Sequence, residues 1–180
     1  SLTDATVNAN LGDGALTSNG NTSLNGNANA DTITVAGGTL TVNGALTNNS
    51  AAINVDAGTL AADGTIAAAS IDVDLGSTLT TEEAERLNNG VALNADGTVS
   101  LGGNETIGDL SGAGTITNNG NDLAVTQTSN QTFSGTLSGA GGLTKQGEAT
   151  LTLSNGSSFT GDANVNEGTL TISGALATNT

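Results

Sequence analysis

The sequence predicts an all-β protein, a right-handed parallel β-helix (β-solenoid) with about 20-residue coils and one short helical insertion. Three observations carry that expectation. A short pattern of residues returns at near-constant intervals along the 180-residue chain. Between returns, apolar and polar residues alternate over runs of about four to six positions, the period of a strand with one buried face. The runs end at turns written repeatedly as Asn-Gly or Asp-Gly, and proline is absent throughout, so every backbone N–H is free to donate to a neighbouring coil.

Taken along the chain, the clearest first unit is Ile33-Thr-Val-Ala-Gly-Gly-Thr-Leu-Thr-Val-Asn-Gly-Ala-Leu46. It returns as Ile53-Asn-Val-Asp-Ala-Gly-Thr-Leu-Ala-Ala-Asp-Gly-Thr-Ile66, and again as Ala163-Asn-Val-Asn-Glu-Gly-Thr-Leu-Thr-Ile-Ser-Gly-Ala-Leu176. Further Gly-Thr-apolar landmarks begin at Gly97, Gly114 and Gly135. In Thr39-Leu-Thr-Val42 and Thr150-Leu-Thr-Leu153, Leu and Val point to one side and Thr to the other. The corners stand at Asn19-Gly20, Asn25-Gly26, Asn43-Gly44, Asp63-Gly64, Asn89-Gly90, Asp96-Gly97, Asn119-Gly120 and Asn155-Gly156, where sharp turns suit residues tolerant of positive φ. The same dipeptides also favour tight hairpins, which makes an antiparallel β-sandwich the competing architecture. Recurrence of the same residues favours the solenoid, because residues one coil apart stack and share one environment. One stretch departs from the pattern. Thr80-Thr-Glu-Glu-Ala-Glu-Arg-Leu-Asn-Asn-Gly90 carries a capping-box spacing, Thr80 with Glu83, and predicts a short helical excursion over 80–90. The whole of 1–180 reads as a single β-solenoid domain.

Composition excludes several classes of chemistry. With no Cys and no His, the chain holds no zinc site, iron–sulfur cluster, haem ligand or Ser-His pair, and no disulfide. Seventeen acidic residues face two cations, Arg86 and Lys145, for a net charge of -15, which opposes binding to nucleic acid or to anionic lipid. No run of residues is long and apolar enough to cross a bilayer as a helix, so this segment is not expected to insert into a membrane. The sequence opens at Ser1 without a signal peptide, the expectation for a mature or excised piece.

From Phe133 the residues read Phe-Ser-Gly-Thr-Leu-Ser-Gly-Ala-Gly-Gly-Leu-Thr-Lys-Gln-Gly-Glu-Ala-Thr-Leu-Thr-Leu-Ser-Asn-Gly-Ser-Ser-Phe-Thr-Gly161, followed by Val165-Asn-Glu-Gly-Thr-Leu170. This stretch, clearest over 131–176, resembles the passenger-associated repeat of autotransporters and related bacterial surface proteins, with Lys145 at the family's usual lysine position. A weaker variant stands at Asp109-Leu-Ser-Gly-Ala-Gly-Thr-Ile116. The resemblance implies a β-solenoid passenger, exported from a Gram-negative-type cell and held outside or on its surface. It implies no activity and transfers no functional residue.

Candidate sites are few. Asp72 and Asp74 share one strand face, and with Asp56 one coil earlier they are the candidate calcium ligands; no other cofactor is expected. The nonapeptide calcium repeat and the EF-hand loop are both missing. Paired carboxylates also suit a polysaccharide-acting enzyme, but two Phe and two cations leave little with which to hold a sugar. Thr-X-Thr triplets at Thr32, Thr39, Thr78, Thr115, Thr150 and Thr169 resemble the arrays of ice-binding solenoids, although their irregular spacing argues against one continuous array. The function expected is therefore structural and non-enzymatic: a β-helix stalk or fibre subunit of a surface adhesin or biofilm matrix. Its expected partner is itself by end-to-end stacking, or neighbouring segments of a longer surface protein.

Overall fold

The computed structural model describes residues 1–174. Residues 175 and 176, the last two of the repeat read over 131–176, lie outside the described residues. Every paired strand is parallel, so the solenoid is realised and the hairpin sandwich is not. The chain winds through about eight turns of about twenty residues. One middle turn shows the order of its faces: strand Thr32–Val35, corner, strand Thr39–Val42, corner, then Leu46 in an isolated bridge to Ile66 of the next turn.

The first face is a nine-stranded sheet running from Thr6–Val7 to Ser158–Phe159. At the strand spacing of parallel sheets its length is about 38 Å. The second face is six-stranded, from Ala15–Ser18 to Leu110–Ser111, and passes by the bridge Gly112–Phe133 into three strands, Gln131–Phe133, Thr150–Leu153 and Thr169–Ile172. The third face begins as single bridges joining Leu11, Ala28, Leu46, Ile66 and Leu87, then widens into the strands Glu105–Ile107, Leu123–Thr126, Leu143–Gln146 and Ala163–Val165.

Strand alternation decides what fills the interior. In Thr39–Val42 the threonines are half-exposed while Leu40 and Val42 are buried, and the same alternation holds in most strands. Zero-offset pairing then stacks like on like. Leu40, Leu60, Leu79, Val99, Ile116 and Leu137 form one internal ladder. Leu16, Ile33, Ile53, Ile71, Leu93 and Leu110 form another from the second face. Each such side chain is worth about 1.5–3 kcal/mol on burial, and both phenylalanines, Phe133 and Phe159, are buried near the C-terminal end of this core.

The corners are laddered as well. Asn25 Nδ2 donates to Asn8 Oδ1 at 2.7 Å, and Asn43 Nδ2 donates to Asn25 Oδ1 at 2.7 Å. In a neighbouring file the Asn27 N–H donates to Asn10 Oδ1 at 2.9 Å and the Ala45 N–H to Asn27 Oδ1 at 3.0 Å. Side-chain amides thus supply the partners that corner backbone otherwise lacks.

The helix expected over 80–90 does not form, and no helix occurs among the described residues. Thr80 and Thr81 instead complete the strand Thr78–Thr81. Glu85 takes a left-handed φ of 53°, and Leu87 is buried with its ladder partner Ile66. The Ile66 N–H donates to the Arg86 carbonyl at 2.6 Å, and the Asn88 N–H donates to the Ile66 carbonyl at 3.0 Å. A two-turn helix is marginal by itself, and forming it would withdraw these backbone groups from the ladder. Tertiary pairing overrides the capping signal.

Candidate functional site

The period-2 alternation that buries Leu and Val also buries two charges. Lys145 follows Leu143 by two residues and therefore points inward, between Val125 and Val165 of the adjoining turns. It is 0% exposed. Its Nζ donates to the carbonyls of Gln146 at 2.6 Å, Gly147 at 2.7 Å and Glu167 at 3.2 Å. All three ammonium donors are thereby matched to backbone acceptors, two in its own turn and one in the next. Burial lowers the Lys145 pKa from its ordinary value, with the Glu167 and Asp109 carboxylates pulling the other way.

Glu105 is 1% exposed and faces inward with Ile107. Its Oε1 accepts from the Arg86 N–H at 2.9 Å and its Oε2 from the Leu87 N–H at 3.2 Å. The carboxylate thus completes the ladder where the expected helix fails. Burial pushes the Glu105 pKa up, and the two N–H groups only partly offset it. Nearby, Asp109 accepts from the Thr128 N–H at 2.6 Å and from Ser129 Oγ at 2.5 Å. Burial would raise the Asp109 pKa, but the Ser129 and Thr128 donors outweigh it and the net shift is downward. Neither Glu105 nor Asp109 was picked out by sequence reasoning. The signal for Glu105 was its alternation partner Ile107, which marks an inward position.

The candidate calcium residues are only partly brought together. Asp56 and Asp74 line one shallow depression with Asp96, Ala113 and the 88% exposed Leu75. Asp72 lies in the second face, where its Oδ1 accepts from Asn94 Nδ2 at 2.9 Å. Asp96 is engaged too, accepting from Asn94 Nδ2 at 3.1 Å and from the Ala113 N–H at 2.9 Å. Among the described residues, no group of three or more Asp or Glu side chains is gathered in a way that could hold a metal ion.

The threonines are arranged differently from the expectation of a broken array. Along the nine-stranded face, Thr39, Thr59, Thr78, Thr98, Thr115 and Thr136 are consecutive zero-offset partners. A parallel file two residues along holds Thr6, Ser23, Thr41, Ala61, Thr80, Ser100, Thr117, Ser138 and Ser158. Corners of unequal length absorb the irregular sequence spacing. The triplets at Thr32, Thr150 and Thr169 belong to the second face and its continuation.

Lys145 and its three acceptors all fall inside one short segment. Residues 143–172 match the passenger-associated-transport-repeat. The repeat therefore coincides with the strands from Leu143–Gln146 to Thr169–Ile172, and its lysine is the internal clamp between successive turns. The repeat and the solenoid together fit an autotransporter passenger-type structural domain. Neither a curated protein nor a solved structure matches the chain.

Proposed function

We propose that the chain is a rod segment of a bacterial surface or secreted protein, acting as a stalk or fibre subunit in adhesion or biofilm matrix and performing no catalysis. The observation that carries this reading is the unbroken one-to-one register of nine parallel strands over a continuous apolar interior. Such an object transmits load and sets distance, and its net charge of -15 keeps rods apart in solution. The passenger-associated-transport-repeat supports an extracellular setting.

The strands Ala163–Val165 and Thr169–Ile172 are where a neighbouring coil would stack. Val165 is 50% exposed, and Leu170 and Ile172 are only partly covered. Among the described residues these two strands each pair on one side only, and a further coil, from a neighbouring segment or from a second copy, would cover those side chains and pair the other side.

Display of the chain on a non-adherent bacterial cell tests the reading. Increased attachment to surfaces or cell–cell clumping is the expected outcome. Unchanged attachment, together with a strictly monomeric state in light scattering at all concentrations, overturns it. Repeating the scattering and a thermal melt in calcium tests Asp56, Asp72 and Asp74; an unchanged melting temperature removes the calcium expectation.

A further inference from the structure

We propose that the nine-stranded face is an ice-binding surface, a function that goes beyond the rod reading and does not depend on it. Four features of the face lead there. First, the file Thr39, Thr59, Thr78, Thr98, Thr115, Thr136 is continuous and in register. With the second file it forms a grid of about 4.8 Å along the rod and about 6.7 Å across it, from strand spacing and two-residue rise. Both repeats lie close to oxygen repeats on the prism face of hexagonal ice.

Second, none of the nine strands contains a charged residue, although the chain carries seventeen acids. The charge lies on the corners and the other faces, leaving this face matched to a neutral lattice and not to an ion or a polyelectrolyte. Third, threonine is stiff about χ1. A row of identical neighbours therefore presents methyl and hydroxyl groups in a fixed order, and little side-chain entropy is lost when ordered water is held against it. Fourth, other occupants lack what they need. Sugar-binding faces offer aromatic platforms, and both phenylalanines here are buried. Face-to-face pairing of two copies needs a broad outward apolar surface. The inward Leu, Val and Ile of these strands leave Thr, Ser and Ala outside, and among the described residues the one large apolar side chain bordering the file is Leu75, on the corner beside Thr98, Thr115 and Thr136.

The test is thermal hysteresis and partition of the whole chain into growing ice, with Thr98→Lys/Thr115→Lys as the disrupting variant. These two threonines are exposed, so the variant is expected to keep the wild-type melting temperature. Thr34→Lys/Ser70→Lys on the second face serves as control. Faceted ice crystals with wild type and control, and loss of most of the hysteresis in the Thr98/Thr115 variant, support the proposal. Absence of hysteresis and of ice partition in the folded wild type overturns it, as does equal loss in the control. Binding to crystalline cellulose or chitin without any effect on ice also overturns it and assigns the face to a polysaccharide.

Discussion

Lys145 and Glu105 are buried charges whose partners are backbone groups, which makes each one a tie between turns. Replacing Lys145 with Met keeps most of the volume but leaves the carbonyls of Gln146, Gly147 and Glu167 without their donor. The expected loss is about 2–4 kcal/mol in denaturant unfolding; an unchanged midpoint would mean that the clamp is dispensable. The two acids have opposite pH signatures. Glu105 has a raised pKa in the folded state, so the fold holds its proton more tightly than the unfolded chain does. Its contribution to stability therefore declines as pH rises from the ordinary carboxylate value through the raised one. Asp109 has a lowered pKa, so its stabilisation is present above the ordinary value and is lost as pH falls through the folded one. Urea midpoints across the acid range are expected to lose the first slope in Glu105→Gln and the second in Asp109→Asn.

At the scale of the element, corners and strands are stacked copies, and a change in one copy is felt by the next. A Cβ on Gly64 would run into the Gly44 carbonyl oxygen, and a Cβ on Gly44 into that of Gly26. Gly64→Ala is expected to cost more than about 2 kcal/mol because backbone must move. Gly12→Ala meets nothing within 4 Å and is expected to be neutral or slightly stabilising. A thermal melt of the two variants checks both outcomes, and equal melting temperatures would refute close corner stacking. Asn25→Ala breaks the amide file to Asn8 and Asn43 and is expected to cost about 1 kcal/mol.

For the whole molecule, each turn touches only its neighbours, so stability is distributed along one dimension. Hydrogen exchange is expected to be slowest in the central strands from Ala52–Val55 to Ala92–Ala95 and fastest in Ala163–Val165 and Thr169–Ile172. Uniform protection from end to end would indicate a single cooperative block. The same linear construction explains how a face can be chemically uniform over nine strands: a residue type repeated once per turn becomes a file along the rod.

The sequence by itself determined the strand alternation, the Asn-Gly and Asp-Gly corners, the absence of proline and the approximate period, which together favour a parallel solenoid over a hairpin sandwich, and the resemblance over 131–176 added the passenger-type C-terminal third. Alternation and corners are local properties, readable within a few residues, and the period is legible because the same residues return about every twenty positions. Tertiary structure alone decided register. It placed Thr59, Thr98 and Thr136, which belong to no Thr-X-Thr triplet, into the file with Thr39, Thr78 and Thr115, because inter-coil hydrogen bonds align strands and let the corners take up differences in length. It also suppressed the helix at 80–90. The capping signal there is worth about 1 kcal/mol, whereas keeping Leu87 in its ladder retains a buried side chain and the backbone bonds around it, closed by a Glu105 carboxylate one turn away.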